Sequence, residues 1–185
     1  MKRISMLIGA IALFAVAAYF LFGPNATENT MVPEAQAAQE QPGFTVSTID
    51  GGTFSLDENK GKVVLVNFWA TWCPPCRLEI PHFVEMYDEH KAEGFRIVGI
   101  SLDRKGVGVV HDWLAQNPVN YPIAMGEDGA LFSQYQEMID PSQRGGIPYS
   151  IIIDANGDVA HTIVGYRDKA QWMEMIGPLL KDVKL

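Results

Sequence analysis

The only two cysteines of the chain stand as Cys73-Pro74-Pro75-Cys76, where an apolar run gives way to an amphipathic pattern. Residues 62–70 (KVVLVNFWA) are almost continuously β-branched or aromatic, the pattern of a strand buried on both faces. After Cys73 the pattern changes: Ile80, Phe83, Val84 and Tyr87 recur at helical spacing, with Glu79, Glu85, Asp88 and Glu89 around them. Pro74 and Pro75 suit the first turn of such a helix, where backbone donors have no intrahelical acceptor, and Pro81 is expected to kink it. A C-x-x-C at a helix start places its Cα atoms about one turn apart, inside the roughly 4.4 to 6.8 Å that a disulfide requires.

Three other readings of the cysteines remain open beside redox chemistry. A structural disulfide would close only a four-residue loop and remove little chain entropy. Zinc would need two further ligands, and His82, His90, His111 and His161 show no paired ligand spacing. Incidental buried cysteines are the third. Redox chemistry makes the most of the position, because Cys73, at or near the N-cap, faces unpaired backbone N–H groups and the positive end of the helix dipole. Both favour thiolate, so Cys73 is the expected nucleophile, and Cys76, turned inward, is expected to resolve the mixed disulfide.

The rest of the body reads as alternating elements. Residues 44–49 and 53–56 form a hairpin across Asp50-Gly51-Gly52. Gly94 ends the first helix, and residues 95–102 (FRIVGISL) are a second buried strand parallel to the first. A helix over 107–116, a short strand over 121–125 and a short helix over 130–138 follow. Residues 149–154 and 159–164 make another hairpin with an Asn-Gly turn, and Asp168 caps a last helix with an apolar stripe through Trp172, Met175, Ile176 and Leu179. Pro178 should shorten or bend it.

The N-terminus differs in kind. Residues 4–22 are uncharged and mostly apolar, long enough as a helix to span about 30 Å of hydrocarbon. Lys2 and Arg3 precede them and no Lys or Arg follows until Lys60, which places the N-terminus in the cytoplasm and the rest outside. A cleaved signal peptide is the alternative, since Ala35-Gln36-Ala37 fits an A-x-A site, although the run is long for that role. The expected organisation is an anchor or signal over 1–22, a linker over 23–41 and one domain over 42–185. Fourteen Lys plus Arg against 22 Asp plus Glu give a net charge of −8, which argues against nucleic-acid binding. With Lys2 and Arg3 set aside, 12 basic residues face 22 acidic, a balance of −10.

The segment Phe68-Trp69-Ala70-Thr71-Trp72-Cys73-Pro74-Pro75-Cys76, with Gly146-Ile147-Pro148 and a strand over 150–154 downstream, resembles thioredoxin-fold proteins. The anchor, the early hairpin and the insertion over 107–125 make the chain most similar to the membrane-anchored TlpA/ResA-type thiol-disulfide oxidoreductases. The resemblance covers about residues 44–180 and implies an α/β thioredoxin-like fold: a central mixed sheet flanked by helices, an N-terminal hairpin and an inserted helix/strand segment. It implies that Pro148 is cis and faces the cysteines, leaving the Ile147 backbone free to pair with an extended substrate, with Trp72, Pro74, Pro75 and Ile147 lining the docking surface. Asn67 stands where thioredoxins carry an acidic residue, and it cannot take a proton. Glu79 matches the carboxylate of C-x-x-C-x-x-E and is expected to shuttle the proton of Cys76; the alternative is a solvated helix glutamate.

The expected activity is reduction of client disulfides outside the cytoplasm, with no cofactor and no metal. By resemblance, a transmembrane donor of DsbD/CcdA type supplies electrons, and the clients are apocytochrome c or copper-site cysteines. The acidic body favours basic or specific clients over promiscuous folding. An oxidase or isomerase and a copper-binding chaperone are the rival readings. A peroxidase is disfavoured, because the first cysteine lies in W-C-x-x-C and not in P-x-x-x-T-x-x-C.

Overall fold

The computed structural model describes residues 43–184. The expected anchor and linker lie outside the described residues, among which no helix is long and apolar enough to cross a membrane. The elements are β1 (Thr45–Ser47), β2 (Thr53–Ser55), β3 (Val63–Trp69), α1 (Pro74–His90), β4 (Phe95–Ser101), α2 (Val107–Leu114), β5 (Ile123–Met125), α3 (Ala130–Gln136), β6 (Tyr149–Ile153), β7 (Val159–Val164) and α4 (Lys169–Leu180).

Five strands form one mixed sheet in the order β5-β4-β3-β6-β7. β3, β4 and β5 run parallel, while β6 pairs antiparallel with β3 and β7 with β6. Every residue of β3 is buried, as its unbroken apolar run requires of a central strand. Its side chains alternate between two cores. Val63, Leu65 and Trp69 pack with Ile80, Phe83 and Met86 of α1, Val110 of α2, and Trp172 and Ile176 of α4. Val64, Val66 and Phe68 pack on the other face with Tyr135 of α3 and with Phe54 and Leu56 of the hairpin. Phe68 stacks on Tyr149 at 5.8 Å between ring centroids, and Phe132 meets both rings edge-on.

The hairpin β1-β2 is a separate two-stranded ribbon, tied to the edge of the sheet by a bridge between Thr48 and Ala124 and by the Ile49 N–H donating to the Ile123 carbonyl at 2.8 Å. The insertion adds α2, edge strand β5 and α3. α1 runs unbroken through Pro81, and α4 through Pro178. Gly94 closes the turn after α1 with φ at +89°, a conformation only glycine adopts without strain. Asp168 caps α4 in a reciprocal pair with Gln171. Because β3, β4 and β5 are parallel, the segments that leave their C-terminal ends gather along one rim of the sheet, and the cysteines sit there.

Candidate active site

Cys73 is the N-cap of α1, in extended conformation, and its Sγ accepts the Cys76 N–H at 3.3 Å. The two sulfurs are bonded at 2.03 Å, with Cα atoms 5.4 Å apart. That Cα separation lies within the range a disulfide requires, and a sulfur at this position is stabilised as thiolate by the N–H and by the helix dipole. Cys73 is 3% exposed and Cys76 1%. Beside them Trp72 is 65% exposed, with Pro74 exposed and Pro75 half-buried.

The Ile147–Pro148 bond is cis, as the resemblance implies. The Ile147 carbonyl oxygen lies 3.8 Å from Cys73 Sγ, which sets this loop against the disulfide. No group among the described residues takes up the Ile147 N–H. The loop is held from behind, where Gln136 of α3 accepts the Gly145 N–H with its side-chain oxygen. Ile147 and Trp72 share the walls of one groove beside the disulfide.

Glu79, one helical turn beyond Cys76, is fully buried, so the solvated-glutamate reading does not apply. Its Oε1 accepts the backbone N–H of Arg167 at 2.9 Å, while Oε2 has no partner. Burial pushes its pKa up to about 7, against the Arg167 hydrogen bond, the nearby Trp172 indole and the Arg167 charge, which all favour the carboxylate. The Trp172 N–H lies close enough to matter without closing a regular hydrogen bond. Asn67 is buried at register with Ser150, to whose Oγ its Nδ2 donates at 2.9 Å; its Oδ1 has no partner. By strand alternation it faces the same side of the sheet as Leu65 and Trp69, the side that α1 covers.

One network has no counterpart in the sequence reading. Asp103, 3% exposed and just past β4, accepts the Thr71 N–H at 2.9 Å, the Thr71 hydroxyl at 2.7 Å and the Ser101 hydroxyl at 2.9 Å. It clamps the loop that presents Trp72 and Cys73. Nothing in the order Leu102-Asp103-Arg104 distinguishes this carboxylate from an ordinary loop aspartate, and its partner Thr71 lies 32 positions away.

A parallel sheet rim carrying a helix-capping disulfide, with a cis-proline loop against it, defines a thioredoxin-fold protein built for dithiol-disulfide exchange. The profile of the AhpC/TSA family matches residues 37–162. The thiol-disulfide oxidoreductase ResA of Bacillus anthracis is 32% identical over 136 residues, 74% of this chain and 74% of that protein. A thiol:disulfide interchange protein of the thioredoxin family from Chlorobium tepidum TLS superposes with a TM-score of 0.69 at 38% identity, over 76% of this chain and 95% of that one. StoA from Bacillus subtilis superposes with a TM-score of 0.61 at 30% identity, over 73% and 96%. The chain belongs to the AhpC/TSA family, within its TlpA/ResA-like group, and is a thiol-disulfide oxidoreductase.

Proposed function

We propose that the chain reduces disulfides of specific client proteins outside the cytoplasm, with Cys73 as nucleophile, Cys76 as resolving thiol and Glu79 as proton carrier. The observation that carries this reading is the buried Glu79, poised to change protonation near pH 7, one turn from the inner cysteine. In the reduced enzyme the Cys73 thiolate attacks one client sulfur, and the other client sulfur leaves as thiolate. Glu79 takes the proton of Cys76. The Cys76 thiolate then attacks Cys73 Sγ, the second client sulfur leaves, and two electrons have passed to the client. Trp72, Pro74, Pro75 and Ile147 form the surface on which the client rests, and the free Ile147 N–H supports strand-like pairing with an extended segment.

Residues 1–22 anchor the enzyme in the cytoplasmic membrane with the catalytic domain in the periplasm or extracytoplasmic space, an orientation supported by Lys2 and Arg3. Regeneration then draws on a transmembrane dithiol donor of DsbD/CcdA type, and tethering raises the encounter rate with it. The clients in this reading are apocytochrome c haem-site cysteines or copper-site cysteines. The reduction potential tests the direction. A value near that of thioredoxin, about −270 mV, is expected; one near the strongest thiol oxidases, about −120 mV, would assign the chain to oxidation.

A further inference from the structure

The groove shared by Trp72 and Ile147 has a volume of about 600 Å³, within the range of about 300 to 1,000 Å³ over which proteins enclose specific ligands. Leu102, Val109 and Phe132 complete its apolar lining. Its charged residues are unevenly placed. Arg104 and Lys105, in the turn after β4, are exposed and make no ion pair or hydrogen bond with any described residue. Glu127, after β5, adds one negative charge, and Asp103 is already taken up by Thr71 and Ser101. Two unneutralised cations beside the disulfide are unexpected in a chain of net charge −8.

We infer that this groove selects the client: it receives an extended segment flanking the client cysteine, seating an apolar side chain between Leu102 and Phe132 and a carboxylate at Arg104 and Lys105. This rests on the proposed disulfide exchange and specifies its substrate. A client cysteine at Cys73, with its backbone along Ile147, brings residues about two to four positions away into the groove, at about 3.3 Å per residue. Glu127 fixes the side: a carboxylate is favoured after β4 and repelled after β5. The preference is opposite to the one the acidic body would impose at long range. At physiological ionic strength the Debye length is about 8 Å, so remote charges are screened and the two adjacent cations decide.

The test uses synthetic peptides with one internal disulfide, each carrying Leu beside a variable residue, Glu, Gln or Lys, placed two, three or four positions from either cysteine. Rates of their reduction by the reduced full-length protein are divided by the rate with bis(2-hydroxyethyl) disulfide, a small linear disulfide with no side chain to place in the groove. At one or more positions Glu is expected to outpace Lys about tenfold, with Gln between, as two rim cations would produce. The Arg104→Glu/Lys105→Glu variant is expected to bring that ratio below one. Replacing the adjacent Leu by Ser is expected to slow the favoured peptide. Glu and Lys peptides within twofold at every position, a preference for Lys, or a ratio unmoved in the variant would overturn the inference while leaving the exchange reaction standing. Absence of reaction with bis(2-hydroxyethyl) disulfide would instead remove the exchange itself, and the inference with it.

Discussion

The carboxylate oxygen Oε1 of Glu79, in the second turn of α1, accepts the backbone N–H of Arg167 at 2.9 Å, joining the helix that begins at the disulfide to the segment before α4. The contact keeps the carboxyl buried and gives it a single fixed partner, so its proton affinity is set by the fold. This has consequences for both stability and turnover.

Burial raises the Glu79 pKa from about 4.5 to about 7, so between these values the folded protein holds a proton that the unfolded chain has lost. Stability of the oxidised protein should fall as pH rises through this window and level off above it. The loss is about 3 kcal/mol at 1.36 kcal/mol per unit. Urea unfolding from pH 4 to pH 8 should show this decline in the native sequence and a flatter curve in Glu79→Gln. Turnover of Glu79→Gln should lose its inflection near pH 7; an unchanged profile would give the proton role to another group.

Asp103→Ala removes the acceptor of three donors around the loop of Cys73. Leaving the buried Ser101 hydroxyl and the part-buried Thr71 N–H and hydroxyl without their acceptor should cost about 2 to 4 kcal/mol. Urea unfolding measures this cost. The exchange rate with a client peptide should fall as well, because the loop that positions Trp72 and Cys73 loses its clamp.

Gly99 stands opposite Asn67 on β4, and a Cβ there would come within 2.6 Å of Ile123 Cδ1 and 3.1 Å of Trp69 Nε1. Gly99→Ala should destabilise the protein by about 1 to 3 kcal/mol through overpacking, read as a lower melting temperature.

The strongest local patterns were readable directly. The β-branched run of β3, the helical spacing after Cys73 and the Asp-Gly-Gly and Asn-Gly turns each specify an element by themselves, and the W-C-x-x-C with Ile147-Pro148 carries the site. The ends of α2 and α3 fall two residues short of the periodic pattern, and β5 starts two residues late, because short elements end where packing ends. Whether Glu79 is buried or solvated was not readable, since it depends on an N–H 88 positions away. Asp103 and the groove cations were equally silent, being brought to the site by strand order and by no local motif.

The central claim is that Cys73 attacks and Cys76 resolves. The direct measurement is the rate of mixed-disulfide formation, followed by mass spectrometry, when reduced Cys76→Ser and Cys73→Ser proteins meet glutathione disulfide at pH 7. The account predicts that Cys76→Ser takes up one equivalent and holds it, because Cys73 keeps the helix-capping position and no resolving thiol remains. Cys73→Ser should react at least about 100-fold more slowly, its one thiol lying inside α1 and lacking the N-cap position that favours thiolate. An adduct forming as fast on Cys73→Ser, or none forming on Cys76→Ser, would contradict the assignment.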